Sequence, residues 1–235
     1  MKRLFCDLHI HSCLSPCGDA LMTPNNIVGM AFIKQLDAIA VCDHNCARNL
    51  PAIKEVADMM NVLLLPGMEL TTREEAHMLC YFRTVEACMA FGETIYAHLP
   101  PIPNNEKFFG RQQVMNAQDE ETDVEERLLI SALDLSFEEL EKLIHEAGGL
   151  CVPAHINRGS SGVLNSLGFL PPDARYDALE ISKSAAMPAM DLSKWRLLES
   201  SDAHYLENIL EPIFHLETRE RSIDAIFDAI EGIVP

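Results

Sequence analysis

The stretch Arg3-Leu4-Phe5-Cys6-Asp7-Leu8-His9-Ile10-His11 runs an apolar segment into two histidines at alternate positions. In extended backbone such positions point the same way, so both imidazoles can hold one ion. The chain repeats the arrangement. Leu36–Cys42 is followed by Asp43-His44-Asn45, Leu63–Met68 by Glu69, Gly149–Ala154 by His155, and Leu197–Glu199 by Ser200-Ser201-Asp202-Ala203-His204. These pieces, with His77 shortly after Glu69, contain six of the nine histidines. Scattered placement of this kind suggests a multinuclear metal site.

Short apolar runs alternate with helical patterns around these pieces. Arg3–Leu8 precedes a helix over Ile27–Lys34, Leu36–Cys42 precedes one over Ala52–Met60, and Val62–Pro66 follows. Further strands are expected at Met78–Phe82, Leu150–Pro153, Ala178–Ile181, Leu197–Glu199 and Ile213–Leu216. This is the βα rhythm of a parallel α/β sheet or barrel, and the number of runs suits a barrel better. In a barrel the C-terminal strand ends share one face, so ligands placed just after strands meet there. His77 departs from the pattern because it precedes its apolar run. Either that strand runs antiparallel or the histidine lies on its entering loop.

Helix starts are legible. Thr23-Pro24 places a capping hydroxyl before a proline, Ser136 and Glu139 form a capping box on a helix ended by Gly148-Gly149, and Ser222 caps a final helix expected to cover the barrel. Residues 100–127 interrupt the rhythm, from Pro100-Pro101-Ile102-Pro103 to the acidic run Asp119–Glu126. They read as a solvated acidic insertion, or as a lid whose Phe108, Phe109 and Arg111 cover a substrate. The whole chain, 1–235, reads as one domain.

A net charge of −18 disfavours long nucleic acid, whose binding depends on basic residues that neutralise phosphates. A small phosphorylated substrate survives that objection, because bound divalent ions make a site locally positive. The basic start Met1-Lys2-Arg3 meets Asp7 too soon for a signal-peptide core, and no apolar run reaches the roughly 18 residues of a membrane span. A cytoplasmic protein with no membrane partner is expected, and its eight cysteines then read as reduced thiols. Cys13/Cys17 and Cys42/Cys46 have the look of zinc pairs. Packing is the better account, since Cys6, Cys42, Cys80 and Cys151 sit in or beside strand-like runs.

Among the remaining polar residues, Asp43 is placed to orient the ligand beside it, and Glu69 to bridge two cations, which imidazole cannot do. Arg158, in the polar turn Asn157–Gly162, is a phosphate contact, since a guanidinium grips two oxygens at once. His98, His145 and His215 lack suitable neighbours and read as structural.

Asp7-Leu8-His9-Ile10-His11-Ser12, Cys42-Asp43-His44-Asn45, the Glu69/His77 pair, Pro153-Ala154-His155-Ile156 and Ser201-Asp202-Ala203-His204 resemble, in order, the motifs of the PHP (polymerase and histidinol phosphatase) superfamily. The likeness runs from residue 5 to about 210. It implies a distorted (β/α)7 barrel holding two or three divalent ions, zinc, manganese or iron, that hydrolyses phosphate esters. It further implies that His9, His11, Glu69 and Asp202 hold one ion, Glu69, His77 and His155 a second, and His44 and His204 a third. The family often reads HSxxSDG after its HxH, whereas this chain has Ser12-Cys13-Leu14-Ser15-Pro16-Cys17-Gly18-Asp19. Either Asp19 or Cys17 completes the third site, with Asp19 preferred.

The expected activity is hydrolysis of a small phosphomonoester or nucleotide by a metal-activated water, with Asp43 and Arg158 as catalytic candidates. Histidinol phosphate, a bisphosphate and the end of a short oligonucleotide are further substrate candidates, to be chosen among by residues 100–127 and 156–175. Two alternatives stand beside this one. Amidohydrolase-like metal hydrolases share the opening HxH and the late Asp, but usually carry a bridging lysine carboxylate. A non-catalytic metal-binding accessory module is disfavoured by the nearly full ligand set.

Overall fold

A computed structural model describes residues 1–232 of the chain. Lys2–Ile10 (β1), Ala38–Val41 (β2) and Leu63–Leu64 (β3) lie side by side and parallel, linked by helices Pro24–Ile33 (α1) and Leu50–Met59 (α2). Gly67–Thr71 (β4) and His77–Tyr81 (β5) follow as an antiparallel pair, then helix Val85–His98 (α3), the short Glu106–Phe109 (α4), and the hairpin Gln113–Met115 (β6) with Glu121–Val124 (β7). The last part comprises Phe137–Glu146 (α5), Leu150–Pro153 (β8), Val163–Ser166 (α6), Leu179–Ile181 (β9), Leu197–Glu199 (β10), His215–Thr218 (β11) and Ile223–Glu231 (α7).

The fold is mixed α/β, and its strands are hydrogen-bonded into separate sheets ordered β11-β1-β2-β3, β4-β5-β8, β9-β10 and β6-β7. A continuously bonded barrel, as expected from the sequence, is not formed. Strand β5 is antiparallel to both β4 and β8. Its first residue therefore lies at the same end as the last residues of its neighbours: His77 pairs with Thr71, and Met78 with Pro153. Of the two alternatives for His77, the reversed strand is the one realised.

The central strands β2, β4, β8 and β9 are buried on both faces, as continuous apolar runs require. One set of side chains, including Leu4, Cys6, Leu8, Ala40, Tyr81 and Val152, packs with Ile226, Phe227 and Ile230 of α7. The other set, including Ile39, Val41, Met78 and Cys151, packs under Ile27, Ile53, Ile95 and Leu140 of the outer helices. Cys6, Cys42, Cys80 and Cys151 are free, fully buried and part of these clusters, so they act as small apolar residues. No helix among the described residues is long and apolar enough to cross a membrane.

Both Ser caps form: Ser136 and Glu139 exchange bonds in a full capping box, and Ser222 accepts the Ala225 amide. Thr23 differs. Its hydroxyl makes no cap bond and instead donates to Asp119 at 2.7 Å, while the Asn25 amide donates to the same carboxylate at 3.0 Å. Residues 100–127 are thereby strapped to the body, and the Met115 amide adds a bond to the buried Asn49 at 2.9 Å. Arg111 pairs with Glu106 and Glu121 of its own segment, whereas Phe108 is 78% exposed.

Removing the cap hydroxyl by Ser136→Ala should destabilise the protein by about 1 kcal/mol. Calorimetry should show this as a fall in Tm of about 2–4 °C.

Candidate metal centre

The β1–β2 register shifts between Asp7 and Ile10, where the first histidines lie. Leu8 joins one apolar cluster and Ile10 the other, so the strand changes face at His9. His9 and His11 end up fully buried with their Nε2 atoms 3.2 Å apart. A parallel bridge joins His44 to Glu69, and another joins Ile10 to Ala203, bringing distant strand ends together. Asn45, His155 and Asp202 have positive φ of 50°, 30° and 53°, sharp turns that Asn, His and Asp enter more readily than other residues with side chains.

Glu69 is at the centre and 1% exposed. Its Oε1 lies 2.8 Å from His77 Nδ1, 3.1 Å from His155 Nε2 and 3.4 Å from His9 Nε2. Its Oε2 lies 3.2 Å from His44 Nδ1 and 3.3 Å from His11 Nε2. Asp202 Oδ1 lies 3.1 Å from His11 Nε2 and 3.5 Å from His9 Nε2. Three groups emerge whose donor atoms all lie within 4.8 Å of one another: His9, His11, Glu69 and Asp202; His44, Glu69 and His77; and His11, Cys17, His44 and His204.

The outer nitrogens are committed elsewhere. His9 Nδ1 donates to both Glu180 oxygens at 3.1 Å. His11 Nδ1 donates to Ser15 Oγ at 3.0 Å, whose hydroxyl donates to Asp43 Oδ1 at 2.6 Å, and His204 Nδ1 donates to the Asp202 carbonyl at 2.7 Å. Each ring thus keeps Nε2 for the cluster, the arrangement of metal-bound imidazole with a supporting partner.

The donor set fits divalent cations. Ligands bound at about 2.1 Å in a tetrahedron stand about 3.4 Å apart, the spacing of the first group. Two imidazole nitrogens facing each other at 3.2 Å also need a cation or proton between their lone pairs. The buried Nδ1 atoms of His44 and His155 have no hydrogen-bond partner, a state that costs about 1–3 kcal/mol per atom.

Electrostatics agree with this geometry. Burial opposes the charge on His9, yet Glu180, Glu69 and Asp202 hold its pKa well above the ordinary 6.5. Burial likewise opposes the charge on His11, but Asp202 and Glu69 raise it to about 9. His44 and His204 move the other way, chiefly through burial and then through neighbouring histidines, with His204 lowered to about 4. Glu69 is buried too, but His77, His9 and His44 pull it well below the carboxylate range, and His9 and His11 do the same for Asp202. Burial, then Glu69 and Asp202, push the Cys17 thiol upward.

The remaining candidates fall in three places. Arg158 borders the cavity beside Ser160 and Ser161 and pairs with Asp202 Oδ2. Asp43 is turned away from the cavity: it accepts the Ser12 amide at 2.7 Å and the Ser12 and Ser15 hydroxyls at 2.5 and 2.6 Å. It reaches His11 only through Ser15. Asp19 accepts the Leu21 amide at 2.9 Å and belongs to none of the three groups, where Cys17 stands instead. His98 pairs with Asp134, His145 with Glu141 and Asp177, and His215 stacks edge-on with Phe5, all outside the three groups.

Two supporting carboxylates, Glu180 outside every motif and Asp7 within the first, are given no role by the sequence reading. Glu180 is the one charge in the apolar strand Leu179–Ile181, and besides His9 it accepts the His155 amide at 2.9 Å. A buried charge must be paired, and that rule was its only sequence signal. Asp7 is fully buried and accepts the Ser201 amide and hydroxyl and the Leu210 amide, at 3.0, 2.6 and 2.9 Å, which ties the Asp202 loop to β1.

No family model matches the sequence, and no curated protein does either. Solved structures share its fold. The lesion-specific endonuclease Q of Pyrococcus furiosus superposes with a TM-score of 0.70 and 21% identity over 99% of this chain and 57% of its own. An endonuclease Q complex with a 27-mer duplex carrying an abasic lesion gives 0.71 and 21% over the same shares. The chain thus spans little more than half the length of these endonucleases. A putative metal-dependent phosphoesterase of Bifidobacterium adolescentis gives 0.60 and 19% identity over 85% of this chain and 87% of its own. These likenesses show a shared fold, which an amidohydrolase from Chromobacterium violaceum also has, with a TM-score of 0.57 and 17% identity over 96% of both chains.

Because the His11 pKa is raised from 6.5 to about 9, the stability it gains is complete below pH 6.5 and is lost as pH climbs through about 9. The lowered groups act only on the acid side. Thermal melts of metal-stripped protein should therefore show Tm falling between pH 6.5 and 9, and saturating zinc should abolish the fall; a flat metal-free profile would contradict the charge pattern.

Proposed function

We propose that the chain is a metal-dependent phosphoesterase of the PHP type, a single domain hydrolysing a small phosphomonoester or nucleotide. The observation that carries the proposal is Glu69, a buried carboxylate whose two oxygens face different sets of imidazoles. His9, His11, Glu69 and Asp202 would hold one ion, Glu69, His77 and His155 a second, and His44 and His204 a third. A distorted (β/α)7 barrel is the architecture we infer. The order β1-β2-β4-β5-β8-β9-β10 supports it, with gaps spanned by the His44–Glu69 bridge, the bond from the Ile156 amide to the Glu180 carbonyl at 3.0 Å, and the Ile10–Ala203 bridge.

When bound, such ions would supply a hydroxide at neutral pH and neutralise phosphoryl charge. The protein's own residues do the positioning. Glu180 and the Ser15–Asp43 pair fix the rings of His9 and His11, so their free nitrogens need no reorganisation. Arg158 is held on one side by Asp202 and keeps further N–H groups for a phosphoryl oxygen. Ile130 gives the cavity an apolar wall. At about 220 Å³ the cavity suits a phosphoryl group with a small part of its alcohol. The likeness to endonuclease Q supports the end of a short oligonucleotide among the candidate substrates, while the −18 charge disfavours a long duplex. A carboxylate at the bridging position favours phosphate chemistry over that of amidohydrolase-like enzymes.

The test is phosphate release from a panel of phosphomonoesters and nucleotides by protein reconstituted separately with manganese, zinc and iron. His9→Ala and Asp202→Ala should each lower turnover about a thousandfold or more while melting stays cooperative. Full activity after loss of stoichiometric metal would overturn the proposal, as would hydrolysis of a cyclic amide in preference to every phosphate ester.

A further inference from the structure

Cys17 differs from the other cysteines of this chain. The rest are fully buried, whereas Cys17 is half-buried, belongs to neither apolar cluster and borders the cavity with His44, Glu69, His155 and His204. Its position is set by the backbone. The Asp19 amide donates to the His204 carbonyl at 2.9 Å, the Gly18 amide donates to the Ser15 carbonyl at 2.9 Å, and a Cβ on Gly18 would collide with the Ser12 carbonyl. Only glycine lets the loop fold so closely, which carries the neighbouring thiol to His204.

Cys17 Sγ shares a donor group with His11, His44 and His204. His44 of this group is 2% exposed, and its Nδ1, 3.2 Å from Glu69 Oε2, makes no hydrogen bond, so a buried ring nitrogen at this site lacks a partner. His11 has one uncommitted nitrogen, Nε2, and can serve only one ion; Asp202 Oδ1 at 3.1 Å and His9 Nε2 at 3.2 Å assign it to the first. This leaves Cys17, His44 and His204 as three donors with a fourth position open, the composition of a catalytic zinc site.

We propose that Cys17 is a thiolate ligand and that, with His44 and His204, it holds a thiophilic ion, zinc, beside a pair of ions bound only by nitrogen and oxygen. The inference rests on the metal-binding part of the proposed function. On binding, the S–H bond breaks, an S–metal bond forms and the proton passes to solvent, with no change in oxidation state. Thiolate favours zinc over manganese or magnesium, while the carboxylate-rich sites around Glu69 accept harder ions. The cluster is thereby of mixed character, and zinc bound to the thiolate shields it from alkylation.

Cobalt(II) loaded into metal-stripped full-length protein tests this. The wild type should show an intense near-ultraviolet thiolate-to-cobalt absorption, which Cys17→Ser and Cys17→Asp should both lose while keeping the weaker visible bands of cobalt on nitrogen and oxygen. Cys17→Ser should bind one zinc equivalent more than about tenfold more weakly, since losing even a supporting partner costs that much. Iodoacetamide should modify Cys17, read by peptide mass, at least tenfold more slowly with zinc present. Unchanged near-ultraviolet absorption in both variants, or equal alkylation with and without zinc, would overturn the thiolate assignment and leave the metal centre standing. Failure of cobalt and zinc to bind the wild type at all would overturn both.

Discussion

Glu69 is the constraint on which the rest of the molecule depends. A carboxylate 1% exposed to solvent is strongly disfavoured unless polar or charged partners surround it, and five imidazole nitrogens lie 2.8–3.4 Å from its oxygens. Those imidazoles come from β1, from the turn after β2, from the start of β5 and from the turn after β8. Satisfying one side chain therefore requires four strand ends to reach one point. The reversed β5, the register shift in β1 and the bridge from His44 to Glu69 all serve that convergence.

A second layer of buried carboxylates holds the first in place. Asp7 fastens the Asp202 loop to β1, Asp43 holds the Ser12–Ser15 turn beneath His11, and Glu180 grips His9 and the backbone of His155. Each accepts hydrogen bonds from groups that cannot move without breaking a strand pairing or a turn. The orientation of the donor atoms is thus a property of the folded backbone, with little left to side-chain rotation. Of this layer, Glu180 also acts with Glu69 and Asp202 to hold the His9 pKa up against burial, whereas that of His11 is held up by Asp202 and Glu69 themselves.

Much of this was legible in the sequence, for a physical reason. Strands buried on both faces must be apolar, so a histidine or acid at the end of such a run stands out, and His9, His11, His44, Glu69, His155 and Asp202 were all marked in that way. His77 was marked as irregular, and the irregularity was the reversed strand itself. Position within a three-dimensional turn was less visible. Asp19 and Cys17 lie two residues apart, and only the folding of the loop over Gly18 decides which one faces the histidines. Glu180 was hidden because its neighbours form an ordinary strand. Thr23 read correctly as a helix boundary but not as a cap, because Asp119, nearly a hundred residues away, captures its hydroxyl.

The acidic balance of the chain has two different physical origins. Much of the charge is on exposed residues such as Glu106, Glu121 and Asp123, which pair with Arg111 and Arg48 and are screened by salt, so they contribute little to stability. The carboxylates of Asp7, Glu69 and Glu180 are buried instead, and those of Glu69 and Glu180 lie in direct contact with imidazoles, 2.8 Å from His77 and 3.1 Å from His9. Such a site offers carboxylate and imidazole donors in groups within 4.8 Å of one another, an arrangement that suits a divalent cation. The surface charge then matters chiefly for what approaches: the excess of acidic over basic residues repels an extended polyanion, while the cavity itself presents Arg158, Ser160 and Ser161 beside the cluster.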